Sequence, residues 1–245
     1  MAVDYTKRRP STPAPGPVGA DPSATGTSPG GAAGAPLSKV TLTKAAPSVS
    51  LVKRGADGGM LRVNLNWTAQ AAAPTTGGFL KRALGATSAG IDLDLGCLYE
   101  FTDGSKGVVQ ALGQSFRSRA SFTDEPVIWL DGDDRSGSTT GGENLFVNLK
   151  YARQISRILV FASIYEGAPN WAAANGVVTL FPADGPQIEV RLDEHDTRSP
   201  LCAIALLTGA DSGISVRREV RYIQGAQDAL DRAYSWGMNW SPGRK

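Results

Sequence analysis

Histidine and cysteine are almost missing from this chain, which holds one His and two Cys in 245 residues. A zinc centre needs clustered imidazole and thiolate ligands at short spacings, and His195, Cys97 and Cys202 stand too far apart in sequence to supply one. The same scarcity argues against a disulfide framework, because each Cys sits in an apolar run where a buried free thiol is ordinary. Charge of one sign is lacking as well. Lys and Arg total 25 against 23 Asp and Glu, and a formal charge of +2 does not point to a nucleic-acid partner. No apolar run approaches the roughly 18 to 20 residues of a membrane helix, and the opening MAVDYTKRRPSTPAPGPVG has no apolar stretch after its basic residues. A cytoplasmic location is the resulting expectation. Catalytic signatures are missing too: residues 55–59 lack the spacing and Lys-Ser/Thr ending of a phosphate loop, and there is no Gly-x-Ser-x-Gly elbow. His195, within Asp-Glu-His-Asp-Thr-Arg, reads as an exposed turn with no nucleophile motif beside it, so no enzyme is expected.

What is present begins with a biased segment. Residues 1–36 are mostly Pro, Gly, Ala, Ser and Thr, with Lys7, Arg8 and Arg9 as the only basic cluster. Such a composition offers too little apolar surface to offset its ordering entropy, so a disordered tail is expected there. Three charges are a weak membrane hook at about 1 kcal/mol each. From residue 37 to 245 the pattern becomes that of one domain. Leu61, Val63, Leu65 and Trp67 alternate with Arg62, Asn64 and Asn66, and Ile188, Val190 and Leu192 alternate with Glu189, Arg191 and Asp193, as strands with one buried face do. Short apolar runs at 40–43, 127–130, 145–149, 158–165, 177–181 and 201–208 are separated by Gly, Pro, Asn and Asp. Residues 40–44 and 49–53 read as a tight β-meander. Residues 226–234 read as the one clear helix, with Ala226, Leu230 and Ala233 on one face. The fold class expected is therefore all-β: a sandwich of two mainly antiparallel sheets, with a short C-terminal helix.

Two acidic groups carry the chemistry. In Gly90-Ile91-Asp92-Leu93-Asp94-Leu95-Gly96, residues two apart on a strand project together, so Asp92 and Asp94 share one side while Ile91, Leu93 and Leu95 pack on the other. Adjacent carboxylates repel, and a divalent cation removes that penalty; a solvated acidic face is the plainer alternative. The second group, Asp131-Gly132-Asp133-Asp134-Arg135-Ser136-Gly137, follows the run 127–130 and leads through Gly141 and Gly142 to Glu143 and Asn144. Oxygen-rich and hinged by glycine, this loop suits Ca²⁺, which takes about 6 to 8 oxygens in flexible geometry. It is not an EF-hand: Ser136 stands where Gly is required and Gly142 where a bidentate Glu belongs, and flanking helices are not expected. Two other readings stay open, a hydrolase using Mg²⁺ on the same carboxylates and a calcium-assisted lectin-like sandwich.

The ordered series GIDLDLGCLYEF, VIWLDGDDRSG, GGENLFVNL and ILVFASIYEG resembles the signature of the TerD tellurium-resistance and stress-protein family over about residues 37–245. The ending, with Arg217, Arg221, Tyr222, Gly225, Tyr234, Trp236, Gly237, Met238 and Trp240, is closer to the TerA-type branch. The resemblance implies a Ca²⁺-binding, non-catalytic β-sandwich that takes part in tolerance of tellurite and chemical stress. It also implies other Ter-type stress proteins as partners and a peripheral contact with the membrane. Carried over by position, the implied ligands are Asp92, Asp94, Asp131, Asp133, Asp134 and Glu143, with Glu166 ranked below them. TerD itself has an acidic run where this chain has Thr139, Thr140, Gly141 and Gly142, so one ion site is expected and a second is left open. Two further segments stand out: residues 77–85, read as a loop, and the C-terminal aromatics, read as packing against the sandwich.

Overall fold

A computed structural model describes residues 39–43, 45–52, 58–68, 90–132, 141–210 and 213–241. The expected tail over 1–36 and the segment 77–85 lie outside the described residues. Twelve strands are described: β1 (Lys39–Thr41), β2 (Ser48–Val52), β3 (Met60–Asn66), β4 (Asp92–Phe101), β5 (Lys106–Gln110), β6 (Ile128–Leu130), β7 (Glu143–Asn148), β8 (Ile155–Glu166), β9 (Gly176–Phe181), β10 (Gln187–Leu192), β11 (Leu201–Ala210) and β12 (Gly213–Ile223). Two short α-helices accompany them, α1 (Trp171–Ala174) and α2 (Gln227–Ala233), with 3-10 turns at Leu112–Gln114 and Leu149–Gln154. The first sheet runs β1-β10-β9-β3-β7-β6 and the second β2-β12-β11-β8-β4-β5. Every pairing is antiparallel except β1 with β10. The all-β sandwich read from the sequence is the fold, with one correction: β1 and β2 do not form a meander with each other but join different sheets.

The main core lies between the sheets. Leu61, Val63 and Leu65 of β3, with Leu145 and Val147 of β7 and Val178 and Leu180 of β9, meet Leu93, Leu95 and Cys97 of β4 and Val160 and Ala162 of β8. On the first sheet the opposite face is polar or aromatic. Trp129 stacks on Phe146 at 5.4 Å, and the Arg62 guanidinium lies 4.0 Å from the centre of the Phe181 ring. The middle of the second sheet is apolar on both faces. Leu98, Leu159, Phe161, Leu201, Ala203 and Ile223 form a second cluster on its far side, closed by Leu230 and Trp236. That double burial is why β8 and β11 read as nearly continuous apolar runs, without the alternation seen in β3, β10 and the start of β4. Among the described residues no helix is long and apolar enough to cross a membrane.

The C-terminal segment is held down by polar contacts around its apolar ones. The Arg157 guanidinium lies 3.9 Å from the centre of the Trp236 ring, donates to the Tyr234 and Ser235 carbonyls and pairs with Glu100 at 2.7 Å. Trp236 is fully buried, and its indole N–H donates to the Tyr99 carbonyl at 3.2 Å. Asp231, 5% exposed, accepts from the Gly237 and Met238 amides at 2.9 Å and the Trp240 indole at 3.0 Å. Burial alone pushes its pKa up. The Met238, Trp240 and Gly237 donors and the Lys106 charge outweigh burial and hold it below its ordinary value. Asp231→Ala removes the shared acceptor, and a loss of roughly 2–3 kcal/mol is expected as a lower urea midpoint at unchanged slope. Because the folded pKa is depressed, this contribution is complete above an ordinary Asp pKa of about 4 and declines as pH falls through the folded value. The gap between wild type and variant should therefore narrow in acid.

Candidate functional site

Registers gather one end of the sandwich from the last residues of β3, β6 and β8 and the first of β4, β7 and β9. Leu65 faces Glu143, Leu130 faces Leu145, Asn66 faces Val177, and Asp92 faces Glu166. The sheets are stitched together there: the Trp67 indole N–H, just past β3, donates to the Ile91 carbonyl, just before β4, at 2.7 Å. The chain also turns tightly at this end. Gly142 (φ 63°) and Gly167 (φ 82°) adopt the left-handed region, and a Cβ on either would collide with a backbone carbonyl, that of Leu65 or that of Gly90.

Asp92 and Asp94 leave β4 on the face opposite Leu93 and Leu95, as the alternation required. They are not solvated: Asp92 is 1% and Asp94 6% exposed. The plain reading of a water-facing acidic strand is thereby set aside, because burying two carboxylates two residues apart demands compensation by donors or a cation. Glu143, also buried at 2%, has the parity of Leu145 and Val147 and so turns toward the core. Its Oε2 accepts the Leu95 amide at 2.6 Å. Asp131 is exposed just after β6, and its carboxylate accepts the Asn144 amide at 3.2 Å and the Asn144 side-chain nitrogen at 2.9 Å. Asn144 Oδ1 in turn accepts from Asn64 at 3.0 Å and Arg62 at 3.1 Å, while Asn64 also donates to the Gly141 carbonyl.

Asp131, Glu143 and the Asp94-Leu95 step of β4 thus belong to one connected network. Asp133 and Asp134 lie outside the described residues. Among the described residues no three His, Cys, Asp or Glu side chains converge closely enough to hold a metal ion. Strands, not helices, flank the acidic loop, which agrees with the rejection of an EF-hand. Sequence reading named Asn144 as the end of the acidic loop but missed Asn64 and Trp67 as parts of this end. Asn64 looked like the polar half of an alternating strand, and Trp67 looked like core. Glu166, ranked last among the acids, sits opposite Asp92 at the start of the ladder, a placement only strand register reveals.

The remaining reactive groups offer little nucleophilic chemistry. Burial pushes both the Cys97 and Cys202 thiols far up, so neither is a thiolate near neutral pH. His195 is exposed, as its sequence suggested, but lies in irregular chain just before the turn at 197–198, and its amide donates to Glu194 at 2.7 Å. Beside it the Arg198 side chain, and then its amide, hold the Asp196 pKa down to about 2. A cleft of about 780 Å³ lined by Gln110, Leu112, Asp228 and Trp240 includes none of the candidate ligands.

Fold and site together define the class: a two-sheet β-sandwich that concentrates acidic side chains and loop backbone at one end. No protein-family model matches the chain. It is 44% identical over 209 residues, 85% of its length, to the tellurium resistance protein TerA of Alcaligenes sp., and it spans 59% of that relative. The likeness to this TerA-type tellurium-resistance protein thus runs along most of the chain but little more than half of the relative. The tight turn that delivers Glu143 gives a direct check. Gly142→Ala adds a left-handed penalty of about 1–2 kcal/mol before any clash with the Leu65 carbonyl, so a clear fall in melting temperature is expected. An unchanged melt would mean that the turn is not built as described.

Proposed function

We propose that this chain is a calcium-dependent binding or scaffold module that contributes to tolerance of tellurite and related chemical stress, without catalysing a reaction. The observation that carries the reading is the burial of Asp92 and Asp94 on one face of β4, at the end where the acidic loop returns to the sandwich. An all-oxygen donor set suits a hard cation and not zinc. Asp92, Asp94, Asp131, Asp133, Asp134 and Glu143 are the side chains from which the ion takes its ligands, supplemented by loop carbonyls. The ion supplies charge that cancels carboxylate repulsion and joins the loop to the strand. Tellurite tolerance is drawn from the name of the TerA relative. Ter-type stress proteins are the partners proposed, and the site of action is the cytoplasm, at or near the inner surface of the membrane.

The test is a thermal melt of chelator-stripped protein with Ca²⁺ or Mg²⁺, paired with calorimetric titration. Ca²⁺ at a hundredfold excess over Kd is expected to stabilise the fold by about 2.7 kcal/mol through mass action, and Mg²⁺ by much less. Asp131→Asn combined with Asp133→Asn should remove the Ca²⁺ increment, with the melt in chelator reporting any loss from the Asp131–Asn144 contact itself. Equal responses to the two ions, or an unchanged increment in the double variant, would overturn the assignment.

A further inference from the structure

Glu143 differs from the other acids at this end of the molecule. Asp92 and Asp94 project from the face of β4 opposite Leu93 and Leu95, whereas Glu143 turns toward the core from β7 in the opposing sheet. Its Oε2 takes the Leu95 amide at 2.6 Å, a short charge-assisted bond. That amide lies just past the last rung of the β4–β5 ladder, Gly96 opposite Gln110, where β5 no longer supplies an acceptor. The backbone around Glu143 is fixed from the other side as well. Its carbonyl is 3.4 Å from Asn64 Nδ2, and the next residue, Asn144, is held by Asp131 through both its amide and its side chain.

We propose that Glu143 is a positioning residue for the ion site and not one of its ligands: a latch that replaces the missing β5 rung and ties the end of the acidic loop to the strand carrying Asp92 and Asp94. The assignment rests on the calcium reading above and removes Glu143 from its ligand set. A ligand needs its negative charge on the ion, whereas a latch needs only an acceptor oxygen in reach of the Leu95 amide. The two roles therefore respond differently to the isosteric amide.

Glu143→Gln keeps an oxygen acceptor and loses the charge; Glu143→Ala loses both. Calorimetric Ca²⁺ titration, melting in chelator, and hydrogen exchange at the Leu95 amide read each variant. The Gln variant is expected to keep Ca²⁺ affinity within about threefold of wild type and to keep the Leu95 amide protected, while the Ala variant exchanges that amide at least about tenfold faster and melts lower. A Gln variant that melts normally and protects Leu95 but loses more than about tenfold in Ca²⁺ affinity makes Glu143 a ligand and overturns the proposal. If the Ala variant fails to fold, the Gln variant still makes that decision. Failure of the calcium reading itself is seen separately, as a wild type with no Ca²⁺ response. In that event slower Leu95 exchange in wild type than in the Ala variant would leave the latch standing as a structural contact only, and equal exchange would remove it altogether.

Discussion

The middle of the second sheet, built from β4, β8 and β11, is buried on both faces, and most of the architecture follows from that constraint. Its inner face shares the main core with the first sheet, and its outer face needs a cover that no strand provides. The C-terminal segment is that cover: Leu230 and Trp236 fill the apolar gap, and Arg157, Lys106 and Asp231 satisfy the polar groups that the segment brings down with it. Burying β4 on both sides also decides what becomes of its two aspartates. On a half-solvated strand Asp92 and Asp94 would cost little; here they sit at one margin of the doubly covered region, where an ionised carboxylate is tolerated only with compensation.

The legibility of the fold divides along the same line. β3 and β10 were readable because Arg62, Asn64, Glu189 and Arg191 mark a face that an apolar core does not occupy. β8 and β11 showed nearly unbroken apolar stretches, from which strand existence followed but strand faces did not. The β4–β5 hairpin and the length of β12 went unread because β5 is short and polar at both ends, and Arg217, Arg218, Glu219 and Arg221 break the apolar pattern of β12. The pairing of β1 and β2 was misjudged because two short strands close in sequence usually pair, and nothing in residues 40–53 tells that each instead closes the edge of a different sheet.

The acids at the end of the sandwich were legible as residue types and illegible as directions. Period two placed Asp92 and Asp94 together, and the Gly-rich loop announced Asp131 and its neighbours. That Glu143 faces inward follows from its sharing the parity of Leu145 and Val147, a point visible only once β7 is known to start at Glu143 and not at Leu145. The bracing role of the helper residues was hidden by their ordinariness. Asn64 and Asn144 are common on exposed strand faces, and only the register joining β3 to β7 shows that they brace the return of the loop.

The split placement of β1 and β2 bears on how the chain reaches its native state. Lys39 pairs with Gln187, and Ser48 with Arg217, so β1 and β2 wait for partners roughly 150 residues or more downstream, the kind of non-local contact that slows folding. During synthesis both strands leave the ribosome long before β10 and β12 exist. The sandwich therefore closes late and nearly at once, with its two open sheet edges exposed to chaperones or to neighbouring chains until β10 and β12 have emerged.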